Sequence, residues 1–212
     1  LPVVLEGGAV ELDGNGTLMG KLSCITNDNR NPNFSLEEIE NYLTTYLGVT
    51  NFIWMDGTPG LEITDDHIDG TARFVSDSVI IVNEKDMVEP SEYEIFSNSQ
   101  NSRGETYNLV ELPVTTKKMP GAEWWGLYIN YYVGNEVVIV PIYSDPNDAE
   151  ALRIIGELYP NRSIVGIDVR ELYKDGGMLN CVTQQQPAPR EVTSVQPHSI
   201  RTTGKQVSLV SK

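Results

Sequence analysis

The chemistry in this sequence centres on a cysteine. The stretch Asp175-Gly176-Gly177-Met178-Leu179-Asn180-Cys181-Val182-Thr183-Gln184-Gln185 leads a glycine pair into Cys181 and an apolar and threonine segment out of it. Glycines allow backbone conformations that a Cβ resists and let the chain pass close to a ligand. A cysteine held just beyond such a turn is a candidate nucleophile, because its thiolate can be aimed into a cleft. The stretch alone leaves a second reading open, a small buried apolar residue, which is the common fate of a free cysteine. A second group comes from Thr64-Asp65-Asp66-His67-Ile68-Asp69. His67 and Asp69 stand two apart, so an extended segment would turn both to one face and hold a proton donor beside an anion. An acidic surface loop with an incidental histidine is the other reading. Glu6 is a third candidate, a lone carboxylate ahead of Gly7-Gly8 at an expected strand end. An exposed acid at a bulge fits it equally well.

Elements must position these residues. Leu1 to Leu5 reads as a strand, and Gly14-Asn15-Gly16 as a turn before a returning strand over 17–26. Ser35-Leu36-Glu37-Glu38 has the capping-box pattern; Ile39, Tyr42, Leu43, Tyr46 and Leu47 follow at helical spacing, and Gly48 closes the helix. Strands are expected over 51–55, 71–75, 78–82 and 107–113, with a weak helix or irregular crossover over 90–99. Residues 115–125 read as a long loop of the lid or binding kind. Alternation over 127–133 predicts a strand, turning at Gly134-Asn135 and returning over 136–142. Asp145 to Asp148 caps a helix with Ala149, Leu152, Ile155 and Leu158 on one face, and a buried strand follows over 164–169. Residues 190–212, with His198, read as a polar tail or cropped continuation after a domain spanning 1–189.

Composition narrows the function. The 212 residues allow one domain with a good-sized core. A net charge of −15 argues against nucleic acid, which needs a basic face, and suits a cationic substrate. No apolar run reaches the roughly 20 residues of a membrane span, so no membrane partner is expected, and a cytoplasmic location is. Cys24 and Cys181 could form at most one disulfide. The histidines and cysteines lack zinc-ligand spacing, and the acids around His67 lack the regular oxygen spacing of hard-cation loops, so no metal is expected.

The element order repeats: a hairpin, a crossover, then a short strand, about every 60 residues. Segments 18–25, 79–82 and 137–142 are each the second strand of such a hairpin. Glu6, His67, Asn130 and Cys181 all fall near unit starts. Units around a pseudo-symmetry axis would bring them to one central cavity.

The motifs resemble the agmatine deiminase and bacterial-type peptidylarginine deiminase family of the guanidine-modifying pentein superfamily. They are Leu5-Glu6-Gly7-Gly8 with Asp13-Gly14-Asn15-Gly16-Thr17; Asn29-Arg30-Asn31-Pro32; Thr64 to Asp69; Tyr128-Ile129-Asn130-Tyr131-Tyr132; and Gly176-Gly177 through Cys181 to Gln186-Pro187. The resemblance runs from about residue 1 to 189. It implies an α/β pentein-type propeller of pseudo-symmetric ββαβ units, about three of five being present. It also implies hydrolysis of a guanidinium to a ureido group and ammonia through a cysteine thiouronium, without metal or cofactor. Cys181 matches the nucleophile, His67 the general acid and base, and Asp69 and Glu6 the carboxylates on the guanidinium; Asn130 lies on a motif near the site. Agmatine is the first choice of substrate, as in polyamine biosynthesis. Peptidylarginine, free arginine and a non-catalytic fragment are the alternatives. Asn180 stands where many relatives carry histidine, and Asp66 where many carry glycine. No tryptophan-arginine-aspartate stretch precedes Glu6. The expectation is therefore a C-terminal part, either a truncated or processed piece or one whose front units come from a companion chain or another copy.

Overall fold

Strand-period and helix-period runs alternate to build one unit three times in the computed structural model, which describes residues 2–121 and 124–185. In the first unit β1 (Val10–Leu12) pairs antiparallel with β2 (Thr17–Lys21). A single helical turn, α1 (Leu22–Ile25), and the crossover helix α2 (Leu36–Leu47) lead to β3 (Asn51–Met55), parallel to β2 with Thr17 opposite Asn51. The second unit runs β4 (Ala72–Ser76), β5 (Val79–Asn83), α3 (Pro90–Asn98) and β6 (Asn108–Leu112), with Val79 opposite Asn108. A hairpin of β7 (Val114–Lys118) and β8 (Trp125–Leu127) joins it to the third. There β9 (Tyr132–Val133), β10 (Val137–Ile142), α4 (Asp148–Leu158) and β11 (Ser163–Asp168) repeat the order, with Val137 opposite Ser163, before α5 (Arg170–Lys174). A hairpin closes with a tight turn, whereas a parallel return needs a long crossover, so each unit carries one crossover helix. No helix among the described residues is long and apolar enough to cross a membrane.

Period-two alternation gives each sheet two apolar faces. Leu18 of β2 packs with Ile39 and Leu43 of α2, while its neighbour Met19 turns to the second unit and joins Ile53, Met55 and Phe96 of α3. Ile80 and Val82 of β5 stay in that second core, and Ile81 between them joins the third with Val138, Val140 and Ile155. The first and second sheets are thus each buried between their own helix layer and the next unit. The cap on α2 forms as its sequence predicts: the Glu38 amide donates to Ser35 Oγ, the Ser35 amide to Glu38, and Gly48 ends the helix at φ +72°.

Several elements depart from the sequence expectation, each for a tertiary reason. Residues 2–5 form no strand; Asn31 brackets Val4 instead, accepting from its amide at 2.9 Å and donating to its carbonyl at 3.0 Å. The strand expected over 17–26 stops at Lys21, because its partner β3 ends opposite, at Met55. The chain turns there, and the Ser23 amide donates to the Asp56 carbonyl. The loop expected over 115–125 is the β7–β8 hairpin; Ala122 and Glu123 lie outside the described residues. The strand expected over 127–133 is broken by a turn at 128–130. Tyr128, Ile129 and Tyr131 are all fully buried, so the apolar pattern there reports burial on every side rather than a pleat. The crossover over 90–99 is a regular helix. Ala149 is exposed, and α4 buries Ala151 and Ile155. Among the described residues β11 pairs with β10 alone, and its Val165 and Ile167 are exposed. The expected tail over 190–212, with His198, and the Gln186-Pro187 end of the cysteine motif lie outside the described residues.

Candidate active site

Cys181 sits on a tight turn fastened at both ends. Gly176 takes the left-handed conformation, φ +85°, that the glycine pair predicted; Gly177 does not. Met178 is buried and accepts a hydrogen bond from Tyr143 Oη, which anchors the turn to the third core. Val182 and Thr183 amides donate back to the Met178 and Asn180 carbonyls. Asn130, itself 1% exposed, holds the other side: its Oδ1 accepts from the amides of Asn180 at 2.8 Å and Cys181 at 3.4 Å. The broken segment at 128–130 is therefore the cradle of the cysteine turn. Cys181 is exposed as a residue, with Sγ 3.5 Å from Asn130 Oδ1 and 3.9 Å from Asp69 Oδ2. Cys24 is also free and buried, so the two cysteines make no disulfide. Burial pushes its thiol up to about 11, which leaves it inert.

His67 and Asp69 come together, although not through an extended segment. His67 has extended backbone, but Ile68–Gly70 is a 3-10 turn. Both side chains instead press on Gly8, where a Cβ would lie 2.7 Å from His67 Nδ1 and 2.7 Å from Asp69 Oδ2. Gly8 belongs to a second 3-10 turn, Gly7–Ala9, whose leading residue is Glu6. Glu6 Oε2 lies 2.8 Å from His67 Nε2. The expected strand end at Glu6 is thus a turn, and β1 starts after it.

Asp69 is 3% exposed, and its Oδ2 accepts from Asn130 Nδ2 at 3.0 Å and Asn180 Nδ2 at 2.8 Å. Two neutral amides fix the carboxylate plane, and among the described residues Oδ1 takes no hydrogen bond. A planar cation could pair there. All five residues singled out by type and position therefore converge. Glu6–His67 is one contact pair, and Asp69, Asn130 and Cys181 form a cluster joined to it across Gly8.

The electrostatics divide the same way. Burial and the neighbouring Asp69 anion push the Cys181 thiol above its ordinary range, with Asn130 and the Met178 backbone opposing. Burial pushes Glu6 up, but hydrogen bonds from Arg30 and His67 outweigh it and hold the carboxyl below the ordinary glutamate value.

Two further participants lie outside the five candidate residues. Arg30 donates through Nε to Glu6 Oε2 at 2.6 Å and through Nη1 to Asp65 Oδ2 at 2.7 Å. A long cation in a polar loop reads as surface, and only the motif Asn29-Arg30-Asn31-Pro32 marked it. Asn180 was noted as a departure from the family pattern; its side chain reaches Asp69 directly.

The chain is similar to known proteins along most of its length. Residues 1–187 match the family described as Porphyromonas-type peptidyl-arginine deiminase. The chain is 30% identical over 215 residues to the agmatine deiminase of Pseudomonas fluorescens, covering 89% of this chain and 58% of that protein. Among solved structures it is similar to an agmatine deiminase of Enterococcus faecalis, with TM-score 0.78, 28% identity, and 87% and 57% of the two chains covered. It is also similar to a C. jejuni agmatine deiminase with substrate bound, with TM-score 0.73, 28% identity, and 85% and 55% covered. The three ββαβ units are thus of the α/β pentein type. The chain spans less than two thirds of the length of each of these relatives.

Proposed function

This chain belongs to the Porphyromonas-type peptidyl-arginine deiminase family, and on that premise we propose that it carries the reacting groups of an amidine hydrolase, with agmatine as substrate. The observation that carries the reading is the convergence of Cys181, Asp69 and Asn130 beside the Glu6–His67 pair. A guanidinium is planar and cationic, and its delocalised charge protects its central carbon from nucleophiles. Asp69 Oδ1 grips one edge of that plane and sets the carbon before Cys181 Sγ. Glu6 completes the carboxylate side as far as its bonds to Arg30 and His67 leave it free, so its main task is to orient His67.

The raised thiol fits a substrate of this charge. Burial and Asp69 favour the protonated thiol, an arriving cation offsets Asp69, and the thiol proton passes to solvent as the thiolate forms. The thiolate attacks the guanidinium carbon and forms a C–S bond. His67 delivers a proton to the departing nitrogen, ammonia leaves, and a thiouronium remains. Water attacks the same carbon as His67 takes one of its protons; the C–S bond breaks, the electron pair returns to sulfur, the remaining hydroxyl proton passes to solvent, and the ureido product leaves. Agmatine is preferred over arginine because the P. fluorescens, E. faecalis and C. jejuni relatives are agmatine deiminases. The family description keeps peptidyl-arginine as the second reading.

Incubation with agmatine, free arginine and an arginine peptide, each assayed for ammonia and ureido product beside Cys181→Ala, tests the reading. Agmatine turnover that Cys181→Ala abolishes is the expected result. Turnover of the peptide alone would move the assignment to the second reading. Turnover of agmatine that survives Cys181→Ala would overturn the nucleophile.

A further inference from the structure

The residues just ahead of His67 have a backbone that their side chains resist. Asp65 and Asp66 have φ of +61° and +73°, consecutive left-handed residues without glycine. Such a conformation persists when the surroundings over-determine it. Asp65 is held by the site itself, through Arg30 and the Gly60 amide at 2.7 Å. Asp66 is held from elsewhere. Its Oδ1 lies 2.7 Å from Lys21 Nζ and its Oδ2 accepts from the Thr58 amide at 3.0 Å.

Lys21 is the unusual member. It ends β2, its side chain is 3% exposed, and its other partner is Glu92 Oε2 on α3 at 3.1 Å. A buried lysine between two carboxylates has no part in the chemistry above. It ties the turn before His67 to a strand of the first unit and a helix of the second.

We propose that Asp66, clamped by Lys21, is a positioning residue for His67. The clamp fixes the left-handed turn that aims the imidazole at Glu6; this rests on reading His67 as a reacting group. Aspartate tolerates the conformation because its side chain finds local partners. Glycine there would adopt it freely but would leave it unanchored. This chain trades backbone freedom for an ion pair.

The test reads His67 directly. The 15N signal of His67 Nε2, assigned by its loss in His67→Gln, is recorded for the wild type, Asp66→Ala, Asp66→Gly, Lys21→Met and the Lys21→Met, Asp66→Gly pair, each checked for folding by circular dichroism. Agmatine kinetics run alongside. Asp66→Ala is expected to displace the signal from its Glu6-bonded position and to lower kcat by about tenfold or more, with KM within about twofold, as a misaimed group does. Asp66→Gly is expected to displace it less, and adding Lys21→Met to that variant to change nothing further. Should Lys21→Met alone not fold, the glycine background still reports on the clamp. A signal unmoved in folded Asp66→Ala overturns the proposal, as does a further displacement when Lys21→Met is added to Asp66→Gly. The signal needs no turnover, so a wild type without activity counts against the proposed function and leaves this result readable.

Discussion

At Cys181 the surroundings oppose the thiolate that the proposed chemistry needs. Burial and Asp69 both disfavour the thiolate, and Asn130 only partly offsets them. Neutral iodoacetamide should therefore alkylate Cys181 with a pH midpoint above that of an ordinary cysteine. Removing the neighbouring anion favours the thiolate, so Asp69→Asn should bring that midpoint down. A cationic haloacetamidine should gain over iodoacetamide in the wild type and lose the advantage in Asp69→Asn. Intact mass after timed quenching reads both reagents, and buried Cys24 contributes no fast phase. A midpoint that stays or rises in Asp69→Asn would mean that Asp69 does not control the thiol. Asn180 acts on the same carboxylate: its amide donates to Asp69 at 2.8 Å and carries no titrating proton, unlike a histidine at that position.

At the scale of elements, two 3-10 turns from neighbouring units meet at Gly8, and their fit leaves no room for a methyl group. Gly8→Ala would place Cβ 2.7 Å from both His67 Nδ1 and Asp69 Oδ2, whereas Gly7→Ala meets the flexible end of Gln184 at 3.2 Å. Gly8→Ala should cost about a hundredfold in kcat/KM, the scale of a 1 Å misplacement, and Gly7→Ala little. Equal activity in the two variants would show that the turns do not meet this closely. The glycine pair at 7–8 was legible as a place of close approach, but the turn was not, since the 3-10 geometry depends on what lies opposite. The same division holds along the chain. The capping box at Ser35 and Glu38, the end at Gly48 and the strands at 79–83 and 137–142 follow from local chemistry and were legible. The breaks at Lys21 and at 128–130, the edge position of β11, the burial of Lys21 and the partial burial of Arg30 are set by partners far away in sequence. Glu6, His67, Asn130 and Cys181 were legible by place in the repeat, and Asp69 by its spacing from His67. Arg30 and Lys21, which hold them, look like any surface cation.

Across the whole molecule, one buried pair spans all three units next to the site. Arg73 on β4 donates to Glu11 of β1 at 2.7 Å and to the carbonyl of Tyr131, and its guanidinium lies 4.7 Å from the centre of the Tyr131 ring. Burial opposes the charge of Arg73, yet Glu11 and its other partners hold the guanidinium above the ordinary arginine value. Burial pushes the Glu11 carboxyl up, against Arg73. Such a pair adds little net stability over an apolar replacement, but breaking it strands a buried charge. Arg73→Met should therefore destabilise by about 3–5 kcal/mol in denaturant unfolding, and Glu11→Leu added to Arg73→Met should recover much of that loss. The site should respond differently from the fold. Tyr131 follows Asn130, whose side chain accepts from the Cys181 amide, so losing Arg73 loosens the cradle whether or not stability is regained. Haloacetamidine alkylation of Cys181 should stay slow in the double variant even where unfolding has recovered. Strictly additive unfolding energies would show that Glu11 and Arg73 do not act as a pair. Alkylation that recovers together with stability would show that the brace holds the fold and not the site.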